Sequence, residues 1–322
     1  MSLLDGIGSI LVTGGAGVVG SAMVKRLLPD HPVVVIDDLS SGSMNRLSDL
    51  QKDFALRFVK GDVSRLEEVM THMDNIETVF HFAANADIRY RPEQRTDVDL
   101  RTGTIGTYNV LESMRKHDVD RIIFSSSSTV YGEPEDRPTP EDYGPLTPQS
   151  LYGASKLACE GLISAFSATY GMTAWIYRFA NVLGSTSRTI GKNVIPDFIE
   201  KLRADKSRLQ ILGDGTQTKS YLYIDDCLDG MLQLLEDRNS GVAIYNLGSS
   251  DTISVKEIAD IVVKEMGLSK VEYQFTGGKR GWKGDIPQMF LDVSKGEMHG
   301  WKATRNSSQA VTQSTKDLLR GQ

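Results

Sequence analysis

Val12-Thr13-Gly14-Gly15-Ala16-Gly17-Val18-Val19-Gly20 carries three glycines at G-x-x-G-x-x-G spacing. An apolar run, Ile10-Leu11-Val12, precedes it, and a helical pattern over 18–28 follows. Each glycine has its own task in a strand–turn–helix unit. Gly14 permits the tight turn, Gly17 lets backbone N–H groups approach a diphosphate, and Gly20 lets the helix pack close to the sheet. The helix N-terminus then offers unpaired N–H groups and the positive end of its dipole to an anion.

The next strand candidate, Val33-Val34-Val35-Ile36, ends in Asp37. A carboxylate at that distance from the glycines accepts hydrogen bonds from the adenine-ribose hydroxyls and repels a 2′-phosphate, so NAD is the expected cofactor. Asp38 is a weaker candidate that reads equally well as a loop residue. Asp62, in Gly61-Asp62-Val63, reads as an adenine contact or as a helix N-cap with equal weight.

Working outward, Leu56–Val59 and Thr78–Phe82 are further strand candidates, followed by a helix over Thr102–Lys116 and a strand over Arg121–Ser126. A second long helix covers Tyr152–Thr169 and another strand Ala174–Phe179. Continuous apolar strands alternating with helices imply a parallel sheet covered on both faces. The expected class is α/β, a Rossmann-type doubly wound parallel sheet with a smaller C-terminal substrate-binding lobe. The dinucleotide domain is expected over 1–182, with 220–247 returning to it, and the lobe over 183–322. Gly, Ser, Thr and Asn cluster at 184–193, and prolines crowd 133–149, so both read as loops.

The 322 residues carry 36 Lys and Arg against 42 Asp and Glu, a net charge of −6 that disfavours nucleic acid. No apolar run is long enough to span a membrane, and the first residues do not read as a signal peptide. Cys159 and Cys227 are far apart, and the five histidines are scattered, so neither a disulfide framework nor a metal site is expected. A reducing cytoplasm is the natural compartment.

Tyr152 and Lys156 stand four residues apart at the start of a long helix, hence on one face. A free tyrosine is a poor base at neutral pH. A nearby ammonium, aided by a positive nicotinamide ring, would bring its pKa from about 10 to about 7. Alone, such a pair is more often a chance surface neighbour; the upstream glycines change that weighting. The serines of Phe124-Ser125-Ser126-Ser127-Ser128 follow a strand and emerge at the carboxyl edge of the sheet. There a hydroxyl can bridge substrate and Tyr152, or serines can simply end the strand.

Taken in order, VTGGAGVVGS, VVVIDDLSSG, VKGDV, VFHFAANADIR, FSSSSTVYGEP, LYGASKLACE, YRFANVLG, GDGTQTKSYLYIDD, YNLGS and RGWKGD closely resemble the extended short-chain dehydrogenase/reductase family, particularly its UDP-glucose 4-epimerases. The resemblance runs over nearly the whole chain. It implies that Tyr152 takes a proton from the sugar 4-hydroxyl while hydride passes to NAD, and that the 4-keto sugar turns over before hydride returns. It selects Ser127 as the bridging hydroxyl. Cofactor contacts are implied at Val18, Val19, Val63, Phe82, Ala83, Ala84, Ser125 and Phe179. Substrate contacts are implied at Asn181, Asn193, Val194, Leu209 and Ile211 beside the base, Lys219 or Arg280 at the diphosphate, and Asp285 at the ribose. Many members carry asparagine where Gly103 falls and arginine where Trp282-Lys283 stands. Met289 falls where residue size is thought to set tolerance for N-acetyl sugars. A homodimer through a four-helix bundle is also implied, with Leu157, Leu162, Ile163 and Phe166 available for it or for the core.

Epimerases of UDP-N-acetylhexosamines or UDP-uronic acids share these catalytic residues. A nucleotide-sugar dehydratase would need an Asp-Glu pair where Ser128 and Thr129 stand. A non-catalytic NAD-binding sensor would not need Tyr152, Lys156 and Ser127 together.

Overall fold

Seven parallel strands form the central sheet, most of them grown from short runs rich in apolar residues. β1 (Ile10–Thr13), β2 (Val33–Asp37), β3 (Leu56–Lys60), β4 (Thr78–His81), β5 (Arg121–Ser127) and β6 (Thr173–Phe179) come from the first half of the chain. Val242–Leu247 returns to complete the sheet. Its order is Val242–Leu247, β6, β5, β4, β1, β2, β3. The order reverses between β1 and β4, so the loops leaving their carboxyl ends part and open a crevice. The structure, a computed structural model, describes residues 8–50, 52–85, 95–184, 193–236, 241–282 and 284–320.

Alternation along β1 assigns its residues to two layers. Ile10 and Val12 pack with Phe80 and Tyr177 on one face, while Leu11 packs with Val79, Ile122 and Phe124 on the other. The first layer holds α1 (Val18–Leu27) and continues into Ile258, Val262 and Val311 of the C-terminal half. The second holds α3 (Gly106–Lys116) and α4 (Leu151–Tyr170), after the short α2 (Leu66–Met70). Burial on both faces is why these strands lack a polar alternation. Ile163 belongs wholly to this second layer, with Leu162 and Phe166 at its edge.

One element departs from the expected helix over Thr102–Lys116. Asp99–Ile105 is a π-helical turn that leads into α3. The Ser155 hydroxyl donates to the Asp99 carbonyl at 2.7 Å. A regular α-helix would give that carbonyl to the Gly103 N–H. A β-carbon on Gly103 would overlap Ser155 Oγ, so the missing side chain is what lets the turn seat against α4.

The C-terminal lobe is built from small pieces. Arg208–Ile211 pairs in parallel with Glu272–Phe275. Thr218–Lys219 is the middle strand of a three-stranded sheet between Ile253–Ser254 and Gln288–Met289. A Ser254/Glu257 capping box starts the helix Val255–Glu265.

Candidate active site

A cleft of about 500 Å³ runs along the carboxyl edge of the sheet, from the end of β2 to the lobe. At one end lie Asp37, Asp38, Asp62 and Val63; at its centre lie Phe82, Ala83, Ala84, Ser125, Ser127, Tyr152, Lys156 and Phe179; beyond them come Asn181, Asn193, Val194, Lys219 and Asp285.

The glycine turn lines the first half. Gly14 has φ +67°, and a β-carbon there would stand 2.7 Å from the Ala83 nitrogen. Gly17 starts α1 with no side-chain cap. The first N–H groups of the helix, with Val18, Val19 and Gly20, therefore face a cleft wall free of side-chain competition. Asp37 has two tasks. Its carboxylate accepts from the Ala16 N–H at 2.9 Å and the Leu39 N–H at 2.8 Å, tying the turn to β2. Each oxygen keeps a further lone pair for a ribose hydroxyl. Burial pushes its pKa up, and the two N–H bonds oppose that. Asp62 accepts from the Ser64 N–H at 2.8 Å while lining the cleft; it closes a turn and is not the helix N-cap, since the N-cap of α2 is Arg65. Asp38 holds the Ser40 N–H and hydroxyl at 2.8 and 2.7 Å.

At the centre, β5 delivers Ser127 and α4 delivers Tyr152 and Lys156. The Ser127 hydroxyl accepts from the Thr129 N–H and hydroxyl at 3.2 and 3.0 Å and lies close enough to the Tyr152 hydroxyl to act on its titration. Lys156 is 3% exposed. Its Nζ donates to the Ser125 carbonyl at 2.6 Å and stands 5.8 Å from the Tyr152 ring centre. Burial pushes Lys156 down to about 8. Burial also drives the Tyr152 hydroxyl well above its ordinary range; the Asp99 carboxylate adds to this, and the Ser127 hydroxyl opposes it. The protein alone therefore holds Tyr152 as a neutral phenol, and the expected lowering calls on the positive nicotinamide ring as well as on Lys156.

Two polar networks brace this centre from below. Glu160 accepts from Arg178 Nε and Nη2 at 3.0 and 2.8 Å and from Ser126 Oγ at 2.5 Å. A second line runs Thr13, His81, Thr107, Cys159, with contacts of 2.6, 2.9 and 3.1 Å. Burial, with Lys156 nearby, pushes His81 down to about 3, so it is neutral.

The lobe corrects three expectations. Leu209 and Ile211 are fully buried in the core, because strand alternation turns both inward; Leu212, one residue on, lines the cleft. Arg280 does not line it: its guanidinium pairs with Glu133 and donates to the Asp285 carbonyl. Lys219 does line it, held by Asp285 at 2.5 Å. Met289 is 4% exposed and packs beside Tyr131 and Ala180, off the cleft wall. Asn85, Gln217 and Trp282 also line the cleft. All three lie within motifs of the family resemblance, but in turns whose facing only the fold reveals.

The sequence profile of the NAD dependent epimerase/dehydratase family matches residues 10–248. The chain belongs to this family. It is 35% identical over 300 residues to a Methanocaldococcus jannaschii protein provisionally named a UDP-glucose 4-epimerase, covering 91% of this chain and 92% of that one. A crystal structure of a UDP-galactose 4-epimerase superposes with TM-score 0.84 at 33% identity, over 97% of this chain and 99% of that chain. A UDP-N-acetylglucosamine 4-epimerase from Methanobrevibacter ruminantium, in complex with UDP-N-acetylmuramic acid, superposes with TM-score 0.85 at 25% identity, over 98% and 99% of the two chains. The fit to NAD also stands on the cleft itself: a glycine cradle that a β-carbon would fill, an uncapped helix N-terminus, and Asp37 at the ribose distance. Among the described residues no cluster of His, Cys, Asp and Glu could hold a metal ion, and no helix is long and apolar enough to cross a membrane.

Proposed function

We propose that this chain is a UDP-glucose 4-epimerase, interconverting UDP-galactose and UDP-glucose. The observation that carries the reading is the placing of Ser127, Tyr152 and Lys156 between a dinucleotide cradle and a second, lobe-facing half of one cleft. Bound NAD supplies a reversible hydride acceptor. Tyr152 is the proton acceptor and donor at the sugar 4-hydroxyl, and Ser127, beside it in the cleft, aligns that hydroxyl. Lys156 orients the cofactor ribose and contributes positive charge. Lys219, steadied by Asp285, and the N-terminus of Val194–Ala204, whose Asn193 makes no side-chain cap, hold the substrate diphosphate. Remote binding of the nucleotide retains the oxidised sugar while it turns over. Ser128 and Thr129 line the cleft where elimination would require carboxylates, which favours epimerase over dehydratase.

The active form is taken to be a cytoplasmic homodimer. Tyr108 and Tyr170, 46% and 53% exposed, leave an aromatic face on α3 and α4 for the partner.

The test is incubation with UDP-galactose, UDP-N-acetylgalactosamine and UDP-galacturonate separately, with no added reductant, and chromatographic assay of the C4 epimers. Conversion of UDP-galactose, lost in Tyr152→Phe, is expected. Faster conversion of either of the other two reassigns the sugar. No conversion of any by NAD-loaded protein overturns the reading.

A further inference from the structure

The lobe end of the cleft holds one side chain that the fold leaves unsatisfied. Gln217 is 2% exposed, lines the cleft, and has no hydrogen-bond partner at either its amide nitrogen or its amide oxygen. A buried amide without partners is costly, and native structures rarely retain one without a use for it. The surroundings are shaped around it. Gly213 has φ +82°, and a β-carbon there would fall on Gln217 Nε2. Leu212 and Trp282 supply apolar and aromatic surface on the same wall. Lys219 and Asp285, the cleft residues assigned to diphosphate and ribose, line the same cleft and pair with each other at 2.5 Å.

We propose that Gln217 is the residue that reads the nucleobase, accepting from the imide N–H of a uracil-type ring and donating to its adjacent carbonyl. The proposal rests on the nucleotide-sugar reading of the cleft. A primary amide offers one acceptor group and two N–H donors side by side, which matches an imide edge, and no protein partner competes for them. An apolar wall with a polar reader is the composition expected of a base subsite.

The experiment measures binding of UDP and of 3-methyl-UDP, whose imide N–H is replaced by N-methyl, to NAD-loaded wild type, Gln217→Leu and Gln217→Glu. Wild type should prefer UDP by about tenfold or more, the scale of a lost hydrogen bond to a buried polar group. Gln217→Leu should bind UDP about tenfold more weakly and treat the two ligands alike. Its ligand-free thermal midpoint should hold or rise, since the dehydrated amide is gone; a merely structural glutamine would lose stability instead. Gln217→Glu should also weaken UDP, because a carboxylate still accepts from the imide N–H but cannot donate to the ring carbonyl and repels it. Unchanged UDP affinity and unchanged discrimination in Gln217→Leu overturn the assignment while leaving the epimerase reading intact. Absence of UDP binding in the NAD-loaded wild type overturns both.

Discussion

Lys156→Met should make the chain more stable at neutral pH while destroying its activity. In the folded protein Lys156 titrates at about 8 instead of 10.5, with burial the main cause. Each unit is worth about 1.36 kcal/mol, so keeping the ammonium charged in that position costs about 3 kcal/mol. Methionine removes the charge and keeps the length. It loses the bond to the Ser125 carbonyl and the contact 4.5 Å above Phe124, together worth about 1–2 kcal/mol. The net gain at pH 7 is about 1–2 kcal/mol. Its pH dependence is the sharper test. A folded pKa below the unfolded one means that the penalty is fully present below about pH 8 and vanishes above 10.5. Wild type therefore gains on the variant through that window and overtakes it at the top. The assay is urea unfolding of both proteins, freed of bound dinucleotide, at intervals of pH across the window. A stability difference that stays constant across it would refute the claim that Lys156 is held as a desolvated cation.

Two further changes probe the supports of the site. Glu160→Gln leaves the Arg178 guanidinium, 4% exposed, without its carboxylate; it should cost about 3–5 kcal/mol, or about 4–7 °C in Tm by calorimetry, while Glu160→Leu with Arg178→Met should recover most of the loss. Gly103→Asn, which restores the residue common in the family, should destabilise the chain by about 1–3 kcal/mol because its β-carbon meets Ser155, and adding Ser155→Ala should return part of that in a double-mutant cycle.

The parallel sheet was legible because its strands are buried on both faces and so announce themselves as unbroken apolar runs, from Ile10-Leu11-Val12 to Ala174–Phe179. The glycine turn was legible because Gly14 and Gly20 answer close backbone approaches within a short stretch of chain. What the sequence hides is direction. Leu209 and Leu212 differ by three residues and share one chemistry, yet one is core and the other cleft, because the strand ends between them. Arg280 and Lys219 are both cations near Asp285, and only the path of the chain decides which faces the cleft and which pairs with Glu133. The π-helical turn at Asp99–Ile105 was hidden for a similar reason: it depends on a hydroxyl from α4, about fifty residues away.

The two buried networks explain how a wide cleft keeps its centre fixed. Ser125, Ser126 and Ser127 are consecutive on β5: the first is tied through its carbonyl to Lys156, the second through its hydroxyl to Glu160, and the third lines the cleft beside Tyr152. Glu160 sits one helical turn beyond Lys156 on α4 and is clamped in turn by Arg178 of β6. A slip of α4 along the sheet would break both ties and the Arg178 clamp together, taking their partners from a buried ammonium, a buried guanidinium and a buried carboxylate. Each such break costs several kcal/mol, against the ~1 kcal/mol of a single neutral hydrogen bond. Register between α4 and β5 is thus set by charge that the core cannot leave uncompensated, and that register is what brings Tyr152 to Ser127.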